Sequence, residues 1–396
     1  MRILVLTSTF PRWEKDTIPT FIKDLCTHLA DAGIEVDVLA PHYPGSRRSE
    51  SFNGVNITRF RYFYPERLQK LTYGAGISEN LKRNFLLYFQ VPIFLLSLLY
   101  QTQKALRSRQ YDVVHAHWII PQGFVAVLSQ FLIPAKNKPS VVCTAHGSDI
   151  HAFGSPLMDG IRHWIINRCN SVCVVSHAMK QLLMERGIDE EKLDVIPMGI
   201  DFSKTFYERQ NFARKKNRVL FAGRLIENKG VLVLLDAFNI VLGEFPDTEL
   251  LLVGDGPLKT VILEQCGLQG IENNIILVGP VANQIMPEYY SSALVTVVPS
   301  FNEGLGMVSL EAMGCGSAVI ASDLASIHDI IENEMNGLLV KPGDPKALAD
   351  MIIYLLHRPE ICKQLAENGR NIALEKYSWP QITGKHISLY NRLVRN

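Results

Sequence analysis

The chain has 396 residues, which is long for one domain and suits two that each bury a core. Its formal charge of +1 and its 20% of charged residues exclude a disordered chain or a nucleic-acid-coating protein. Seven cysteines form no CxxC pair and no metal-ligand cluster, so we expect buried thiols in a reducing compartment. The N-terminal segment Met1–Thr7 is predicted to be a strand rather than a signal peptide, because no cleavage site follows it.

Short apolar runs alternate with helical stretches along the whole chain. An apolar stripe over 20–32 predicts a helix that ends at Gly33. The predicted strands of the first half are 3–7, 34–40, 112–116, 140–145 and 171–175. Those of the second half are 219–222, 250–253, 275–278, 294–298, 318–321 and 338–340. This alternation is typical of βαβ units and a parallel sheet.

The predicted fold class is α/β, with two Rossmann-like, doubly wound parallel-sheet domains that face each other across a cleft. An N-terminal domain is predicted over 1–200, a polar linker over 201–217 and a C-terminal domain over 218–375. Helices are predicted at 344–357, 359–374 and 379–395. A ligand is expected in the cleft, at the carboxyl ends of the strands.

The segment 47–109 departs from this alternation. It holds eleven Lys or Arg residues against three Glu, a local charge of +8 in a chain of +1. Phe85–Tyr100 is almost wholly apolar, but Gln90 and Pro92 interrupt it and a bilayer span needs about twenty residues. We expect this segment to lie on an anionic membrane surface, with a core helix as the alternative. Both interpretations hold if one side packs and the other protrudes.

The stretch 299–311 combines a buried strand end, a glycine turn and a helix start, which together suit an anion. Gly304 and Gly306 allow the backbone to approach a phosphate closely. Glu303 on the turn is an acceptor for hydroxyl groups, and Glu311 on the helix can accept from two vicinal hydroxyls. The pattern predicts a ligand with a sugar, a diphosphate and a ribose. The alternative is a glycine turn with two solvated acids.

Two cations follow the first strand of the second half. Gly223-Arg224 closes that strand, and Lys229-Gly230 opens the next helix. Arginine offers a fork of donors to an anion, and lysine offers a point charge. Because clustered cations are costly without an anion between them, we predict diphosphate binding; the alternative is a solvated surface pair.

Histidines end two predicted strands of the first half. His117 follows the strand 112–116, and His146 follows the strand 140–145, with Asp149 three residues later. A histidine at the carboxyl end of a strand can hydrogen-bond a ligand in a cleft, so His117 is a candidate ligand contact, and His146 and Asp149 are candidate acceptor or cleft residues. The alternatives are core histidines, above all for His115, and an aspartate that caps a turn.

Motifs of several other chemistries are absent from the sequence. It has no Asp-x-Asp metal motif, no Walker P-loop, no Gly-x-Ser-x-Gly turn and no GxGxxG after the first strand. Metal-held nucleotide sugars, ATP hydrolysis and dinucleotide redox chemistry are therefore disfavoured.

Together these motifs resemble those of the large GT4 family of retaining glycosyltransferases with the GT-B fold, most of all members that assemble bacterial and archaeal surface polysaccharides. The resemblance covers nearly the whole chain, and 47–109 least well. The residues that carry it are Gly223-Arg224-Leu225, Lys229-Gly230, Val253–Pro257, Pro299-Ser300, Glu303, Glu311-Ala312-Met313, Asp112–Trp118, Thr144–Asp149 and Pro197–Asp201.

The resemblance implies roles for the charged positions. Arg224 and Lys229 would bind the donor diphosphate and stabilise its charge as it leaves. Glu303 would hold sugar hydroxyls, Glu311 the ribose, and His117 would contact the donor sugar near the reacting carbon. Retention would proceed by front-face departure and attack, without a covalent enzyme nucleophile.

Further implications concern the donor-binding backbone and the cofactors. Gly223 and the turn Gly304-Leu305-Gly306 would line the donor site. Arginine, lysine and the helix dipole would take the place of a metal ion, so no metal and no other cofactor is expected. The segment 376–396 would cross back to the first domain, as the last helix does in GT-B relatives, so that the cleft could close by a hinge.

Two loops depart from the family pattern. Ile18–Phe21 lacks the glycine that many relatives place before Phe, which bears on the acceptor side. Ala325–Asp329 replaces the usual Gly-Gly-x-x-Glu, which bears on nucleotide contacts. Neither departure alters the four charged donor-site positions.

The sequence thus predicts a retaining glycosyltransferase, a cytoplasmic enzyme that is peripheral on the inner face of the cell membrane. It would move a sugar from a nucleotide-diphosphate donor to a lipid-linked or polysaccharide acceptor, and no nucleic acid is expected as a partner. The alternatives are another GT-B enzyme, such as a nucleotide-sugar epimerase or a phosphorylase, and a non-catalytic nucleotide-sugar-binding subunit.

Overall fold

The computed structural model describes residues 1–13, 16, 18–74, 76–147, 149, 155–209, 211 and 214–395. Backbone contacts divide the chain into two units. The first comprises Met1–Pro197 and Ile382–Asn396, and the second comprises Met198–Gln381.

One sheet organises the first unit. Its strands are β1 (Arg2–Leu6), β2 (Glu35–Pro41), β3 (Ser49–Phe52), β4 (Val55–Phe60), β5 (Val113–His117), β6 (Ser140–Ala145), β7 (Ser171–Val174) and β8 (Leu193–Val195). They lie in the order β3-β4-β2-β1-β5-β6-β7-β8, and every pairing is parallel except the antiparallel β3–β4 pair. The central strands are almost continuously apolar and buried, as expected for parallel strands covered on both faces.

Helices and a 3-10 turn connect these strands. They are α1 (Phe21–Asp31), α2 (Ile77–Arg83), the 3-10 turn Phe85–Phe89, α3 (Gln90–Ser108), α4 (Phe124–Gln130), α5 (Pro156–Arg168) and α6 (His177–Glu185). Serines start two of them: the Ser155 side chain accepts from the backbone N–H of Met158, and Ser176 accepts from that of Met179. A hydroxyl at this position satisfies a backbone donor that the first turn leaves free.

A smaller sheet organises the second unit. Its strands are β9 (Lys215–Ala222), β10 (Glu249–Val253), β11 (Ile275–Gly279), β12 (Ala293–Val298), β13 (Ala318–Ser322) and β14 (Leu338–Val340), ordered β11-β10-β9-β12-β13-β14 and all parallel. The helices are α7 (Val231–Glu244), α8 (Lys259–Gln269), α9 (Met286–Ser292), α10 (Met307–Gly314), α11 (Pro345–His357) and α12 (Pro359–Tyr377).

Strand order reverses once in each sheet, at a position where ligands of such folds bind. From β9 the chain proceeds to β10 and β11, and it then returns to the other side of β9 with β12. The carboxyl ends of β9 and β12 therefore leave a crevice between their loops, 223–230 and 299–306. In the first sheet β1 and β5 form the corresponding pair.

The predicted fold class is confirmed as α/β with two Rossmann-like parallel sheets. The predicted strands and helices are present with ends shifted by a few residues. The sequence interpretation missed the β3–β4 hairpin and the strand β8. Strand β3 is short and mostly exposed at the sheet edge, so it carries little apolar pattern.

The segment predicted as a linker, 201–217, falls within the second unit. The chain changes unit between Pro197 and Met198, so this segment belongs to the second unit. Phe202 is buried and packs on α10. Its ring lies so close to Gly314 of that helix that a Cβ built there would be 2.4 Å from the Phe202 Cδ1 atom. Strand β9 already begins at Lys215.

The last helix, α13 (Trp379–Arg395), begins in the second unit and belongs to the first unit from Ile382 onwards. In the first unit, the Arg392 guanidinium pairs with Asp194 at 2.5 Å. The backbone carbonyl of Leu393 accepts a hydrogen bond from Ser140 at 3.2 Å.

The basic segment folds as the β3–β4 hairpin followed by α2 and α3. One side of α3 is buried, with Phe94 and Leu98 packed among the aromatic residues of a small core, whereas Leu96 and Tyr100 are 66% and 65% exposed. Phe85 and Phe89, on the 3-10 turn before α3, are 73% and 72% exposed. By length and composition alone, the helical stretch Phe85–Ser108 would suffice to cross a membrane. One side packs and the other is open to solvent.

Glycines let three loops of the second unit pack backbone against backbone. Gly230 has a φ of +65°, and a Cβ built on it would lie 1.9 Å from the Pro299 carbonyl oxygen. Gly254 has a φ of +137°, and its Cβ would lie 1.8 Å from the Gly223 carbonyl oxygen. The loops after β9, β10 and β12 are therefore held at distances that no other residue type permits.

We predict that Gly254→Ala lowers the melting temperature by roughly 5 °C or more, because the new methyl group must displace backbone. The control is Gly243→Ala, inside α7, where a built Cβ meets nothing within 4 Å. That variant should melt at the same temperature or a few degrees higher, because alanine favours a helix. Equal melting temperatures for Gly254→Ala and the wild type would contradict the packing of these loops.

Candidate functional site

An ion pair joins the two loops that flank the crevice of the second unit. Lys229, which ends a 3-10 turn after β9, donates from Nζ to Glu303 Oε1 at 2.6 Å. The Ser300 hydroxyl donates to the same carboxylate oxygen at 2.7 Å. Both charged side chains are mostly buried, at 26% and 12% exposed. The site thus presents an ammonium and a carboxylate in contact, each with bonding capacity left over.

Backbone hydrogen bonds fix the loop that carries Lys229. The N–H of Phe301 donates to the Asn228 carbonyl at 2.9 Å, and the Asn228 amide reaches the Asn302 carbonyl at 3.3 Å. At the start of the loop, Gly223 donates to the Val253 carbonyl at 2.9 Å. The ammonium is therefore held by two loops and not by a flexible tip.

Arg224 lies next to Gly223 on the same loop, and its side chain is exposed. Among the residues that the structure describes, no ion pair or hydrogen bond ties its guanidinium. It is thus a cation at the carboxyl end of β9 with all its donors available.

The glycine turn after β12 leads into α10. Leu305 is buried, and Gly306 has a φ of +82°, which favours glycine. A Cβ on Gly306 would lie 2.5 Å from the Ile327 side chain, so the turn has no room for one. The N-terminus of α10, with its free backbone donors and positive dipole end, follows Gly306 directly, next to Gly304 and Glu303.

Glu311 lies on α10 and is a half-buried residue. The hydroxyl of Tyr290, on α9, donates to Glu311 Oε2 at 2.8 Å. Burial raises the pKa of Glu311 to about 7, and the Tyr290 hydrogen bond opposes that rise. The carboxyl group therefore changes charge near neutral pH.

Four histidine rings form a cluster in the first unit, in which His115, His117 and His386 are buried and His146 is half-buried. His117 Nδ1 and His146 Nε2 share a hydrogen bond of 3.1 Å, and the His115 ring lies 4.4 Å from that of His117. The His386 ring, from α13, lies 5.5 Å from His115. His117 Nε2 is buried and has no hydrogen-bond partner in the described part of the chain. That nitrogen is the one group of His117 that remains to meet a ligand or a water molecule.

His115 is a core residue. Its Nε2 bonds to the Thr144 hydroxyl at 2.7 Å, and its Nδ1 bonds to the Tyr390 hydroxyl at 2.7 Å. Both ring nitrogens are occupied and the side chain is fully buried. This is the alternative that the sequence left open for His115.

The Asp149 carboxylate accepts hydrogen bonds from the backbone of two loops. Its Oδ2 accepts from the backbone N–H of Ile119 at 2.9 Å, and its Oδ1 accepts from that of His146 at 3.1 Å. Burial raises the pKa of Asp149, and these backbone bonds work in the opposite direction. With both oxygens bonded to backbone, Asp149 holds the loops after β5 and β6 and matches the capping alternative.

Burial keeps the histidine cluster uncharged. It lowers the pKa of His115 and His117 well below the ordinary value, that of His146 to about 3 and that of His386 to about 4. The neighbouring rings act in the same direction on His115, His117 and His146. Within the described residues, no group of His, Cys, Asp and Glu is arranged to hold a metal ion.

Two family models together match most of the chain. The model described as Glycosyltransferase Family 4 matches residues 18–204, and that of Glycosyl transferases group 1 matches residues 203–372. The chain belongs to the GT4 glycosyltransferases. The sequence-based recognition of this family and of a transferase is thereby confirmed.

The similarity of this glycosyltransferase to known relatives covers nearly the full length of both chains. An uncharacterised glycosyltransferase of Methanocaldococcus jannaschii, MJ1607, is 26% identical, with 98% of each chain covered. TuaC of Bacillus subtilis, a putative teichuronic acid biosynthesis glycosyltransferase, is 24% identical over 93% of each. The crystal structure of HepE from Anabaena in complex with UDP superposes with a TM-score of 0.74 at 17% identity, covering 99% of this chain and all of that one.

The predicted site residues of this glycosyltransferase fall into two groups. Lys229 and Glu303 are in contact, and they share their loops with Gly223, Arg224 and the turn Gly304-Leu305-Gly306, whereas Glu311 follows on α10. In the first unit, His117 and His146 are in contact and Asp149 holds the loop of His146.

Sequence reasoning missed Ser300 as a partner of Glu303, Tyr290 as a partner of Glu311, and the pair His386 and Tyr390. Ser300 stood inside the quoted motif and was not assigned a role. Tyr290, His386 and Tyr390 lie on helices far along the chain from their partners, and no local pattern marks them.

We predict that the first unit of this glycosyltransferase loses stability in acid. Below about pH 6.5 each buried histidine takes up a proton only when the chain unfolds, so stability falls as pH decreases, by about 1.4 kcal/mol per pH unit for each histidine. For His386 this loss extends down to its native pKa of about 4.

Melting temperatures measured between about pH 7.5 and pH 4.5 check this. His386→Gln should reduce the slope, because it removes one titrating ring, whereas His163→Gln, at an exposed histidine of α5, should leave it unchanged. A wild type whose melting temperature does not fall in this range would contradict the prediction.

Proposed function

We propose that this glycosyltransferase moves a sugar, with retention of configuration, from a nucleotide-diphosphate donor to a lipid-linked or polysaccharide acceptor at the cytoplasmic face of the membrane. The contact between Lys229 and Glu303 beside the glycine turn carries the proposal. It supplies a cation for phosphate and an acceptor for hydroxyl groups within hydrogen-bond distance of each other. HepE, which has the same fold, is known in complexes with UDP and UDP-glucose, and this supports such a donor.

In the proposed complex the diphosphate lies between Lys229, Arg224 and the N-terminus of α10. Lys229 has two ammonium protons beyond the one that it gives to Glu303, and Arg224 has all its donors available. These positive groups are fixed before the reaction and oppose the charge that develops on the leaving phosphate. We propose that they do this without a metal ion or another cofactor.

Glu303 and Glu311 serve the two sugar rings in this proposal. Glu303 Oε1 already accepts from Lys229 and Ser300, so Oε2, with two lone pairs, is the oxygen that can accept from hydroxyls of the transferred sugar. Glu311 accepts from the two vicinal hydroxyls of the ribose. Gly223, Gly304, Leu305 and Gly306 line the donor through their backbone.

His117 is proposed to meet the transferred sugar through Nε2, the nitrogen that the protein leaves without a partner. His146, bonded to its other nitrogen, holds the ring. With no covalent nucleophile in the proposal, departure and attack take place on the same face of the sugar, and the leaving phosphate takes the acceptor proton.

The proposed membrane contact rests on the segment 47–109. Its three glutamates are each bound by basic residues of the same segment: Glu50 by Arg59, Glu66 by Arg61 and Glu79 by Lys82. Arg59 is buried, but Arg67, Lys70 and Arg83 are exposed and have no acid partner among the described residues. This leaves an excess of exposed cations.

Exposed aromatic residues accompany these cations. Phe85, Tyr88 and Phe89 of the 3-10 turn are all more than half exposed, and Arg83 stands two residues before Phe85. Apolar side chains that enter the acyl region and cations that meet anionic headgroups both favour a membrane surface. An acceptor that is anchored in the membrane would then be met where it resides. The name of TuaC, a teichuronic acid enzyme, supports a cell-surface polymer as the product.

We predict that Lys229→Ala and Glu303→Ala lower kcat/KM for sugar transfer by about a hundredfold, or about 3 kcal/mol, because each removes one partner of the donor. The measurement uses UDP-, GDP- and ADP-sugars with and without EDTA, which should leave the rate unchanged. Lys216→Ala, at the exposed start of β9, is the matched control and should behave as the wild type.

Wild-type rates in both site variants would remove this assignment. Turnover of the donor alone, with no acceptor, would favour an epimerase. Donor binding without cleavage at any acceptor would favour a non-catalytic subunit.

We predict that Phe85→Ser/Phe89→Ser and, separately, Arg67→Ser/Lys70→Ser/Arg83→Ser reduce sedimentation with vesicles of phosphatidylglycerol and phosphatidylcholine at least fivefold, since each cation contributes about 1 kcal/mol at such a surface. Leu268→Ser, at an 89% exposed leucine of α8, is the control and should sediment as the wild type. A wild type that does not sediment with anionic vesicles would contradict the membrane proposal.

A further inference from the structure

A single hydrogen bond links the proposed ribose-binding carboxyl group to a neighbouring helix. Tyr290 is 1% exposed, and its hydroxyl donates to Glu311 Oε2 at 2.8 Å. Its ring also lies 6.4 Å from that of Phe206, in the segment that packs against the other end of α10. Tyr290 is therefore fixed from both sides, and its hydroxyl has one direction in which to donate.

The other oxygen of the carboxyl group is free. Glu311 Oε1 has no hydrogen-bond partner in the part of the chain that the structure describes. A carboxylate that spends one oxygen on Tyr290 keeps lone pairs on both oxygens for two vicinal hydroxyls. A protonated carboxyl group would instead present one hydroxyl and lose an acceptor position.

Few charged groups stand near this carboxyl group. Cys315, on the same helix, is buried, and burial raises the pKa of its thiol well above the ordinary value. The nearby cations Arg209, Arg214 and Arg370 lower the pKa of the Cys315 thiol, against the effect of burial. Glu311 itself is governed by its burial and by Tyr290. Burial raises the pKa of Tyr290 well above the ordinary value, so Tyr290 stays a neutral donor at every pH that matters here.

We propose that Tyr290 is a positioning residue for donor binding, whose hydroxyl holds Glu311 in the ionised form and orientation that accept both ribose hydroxyls. The inference rests on the proposed function, since it names what prepares the ribose site. It gives the donor affinity a dependence on pH: binding strengthens as Glu311 loses its proton and weakens as pH falls through neutrality.

The test compares Tyr290→Phe with Tyr289→Phe, at the adjacent, half-exposed tyrosine of the same helix. Calorimetry with UDP-, GDP- and ADP-glucose between about pH 5.5 and pH 9 gives the midpoint at which affinity rises. The diphosphate diester of these donors does not titrate near neutral pH, so a midpoint near pH 7 reports the protein. Glu311→Gln identifies the carboxyl group responsible.

The wild type should show a midpoint near pH 7 that Tyr289→Phe leaves in place. In Tyr290→Phe the midpoint should rise by about one pH unit, because a hydrogen bond to a charged acceptor accounts for roughly one pKa unit. Affinity at pH 7 should then fall roughly fivefold and recover almost fully by about pH 9. A purely structural role would instead lower the affinity equally at all pH values.

A Tyr290→Phe midpoint equal to that of the wild type, or a loss of affinity that pH does not alter, would overturn the role of Tyr290 alone. A Glu311→Gln variant that binds as the wild type would overturn the ribose assignment, and so would a wild type that binds none of the three nucleotide sugars. In either case, carbon-13 NMR of labelled glutamate carboxyl groups still measures the Glu311 titration. An unchanged midpoint in Tyr290→Phe would then count against the role of Tyr290 without reference to any donor.

Discussion

The arrangement of the second unit depends on the contact between Lys229 and Glu303. Both charged side chains are mostly buried, and a buried charge without a partner destabilises the folded protein, so each needs the other. Their contact requires the loops after β9 and β12 to approach closely, and Gly230 permits this by lying against the Pro299 carbonyl. Each charge of the pair is compensated by the other, so the loops can be held in place before an anion arrives. Preorganisation of this kind lowers the cost of binding a charged ligand.

Periodicity and turn residues were sufficient to predict the central strands of both sheets and the principal site loops, because buried parallel strands are continuous apolar runs and the two site loops contain glycine. The hairpin β3–β4 escaped because β3 lies at the sheet edge and is mostly polar. Tyr290 escaped for a different reason. Its proposed role depends on one hydrogen bond to Glu311, 21 positions later on another helix. The sequence of neither helix shows a pattern that predicts this contact. Such contacts are set by packing between helices, which a single sequence does not encode locally.

The histidine cluster illustrates the same limit in the first unit. His115 and His117 lie on one strand with opposite assignments, one in the core and one with a nitrogen left over. The difference depends on Tyr390, which lies on a helix 275 positions later and whose hydroxyl hydrogen-bonds His115 Nδ1. The chain end thereby completes the core beneath the strand. Burying neutral imidazoles is tolerable at neutral pH, but it makes the unit sensitive to acid.

The two units carry different kinds of surface, and this suits the proposed reaction. The donor motifs, with glycine turns and fixed charges, lie in the second unit, whereas the exposed aromatic residues and unpaired cations of 47–109 lie in the first. A nucleotide sugar diffuses in water and needs a site that is ready when it arrives. The proposed lipid-linked acceptor would stay in its membrane, so the enzyme would have to bind there to reach it. Attraction to an anionic surface and insertion of apolar side chains are two forces that achieve this reversibly, and each is too weak alone for stable binding.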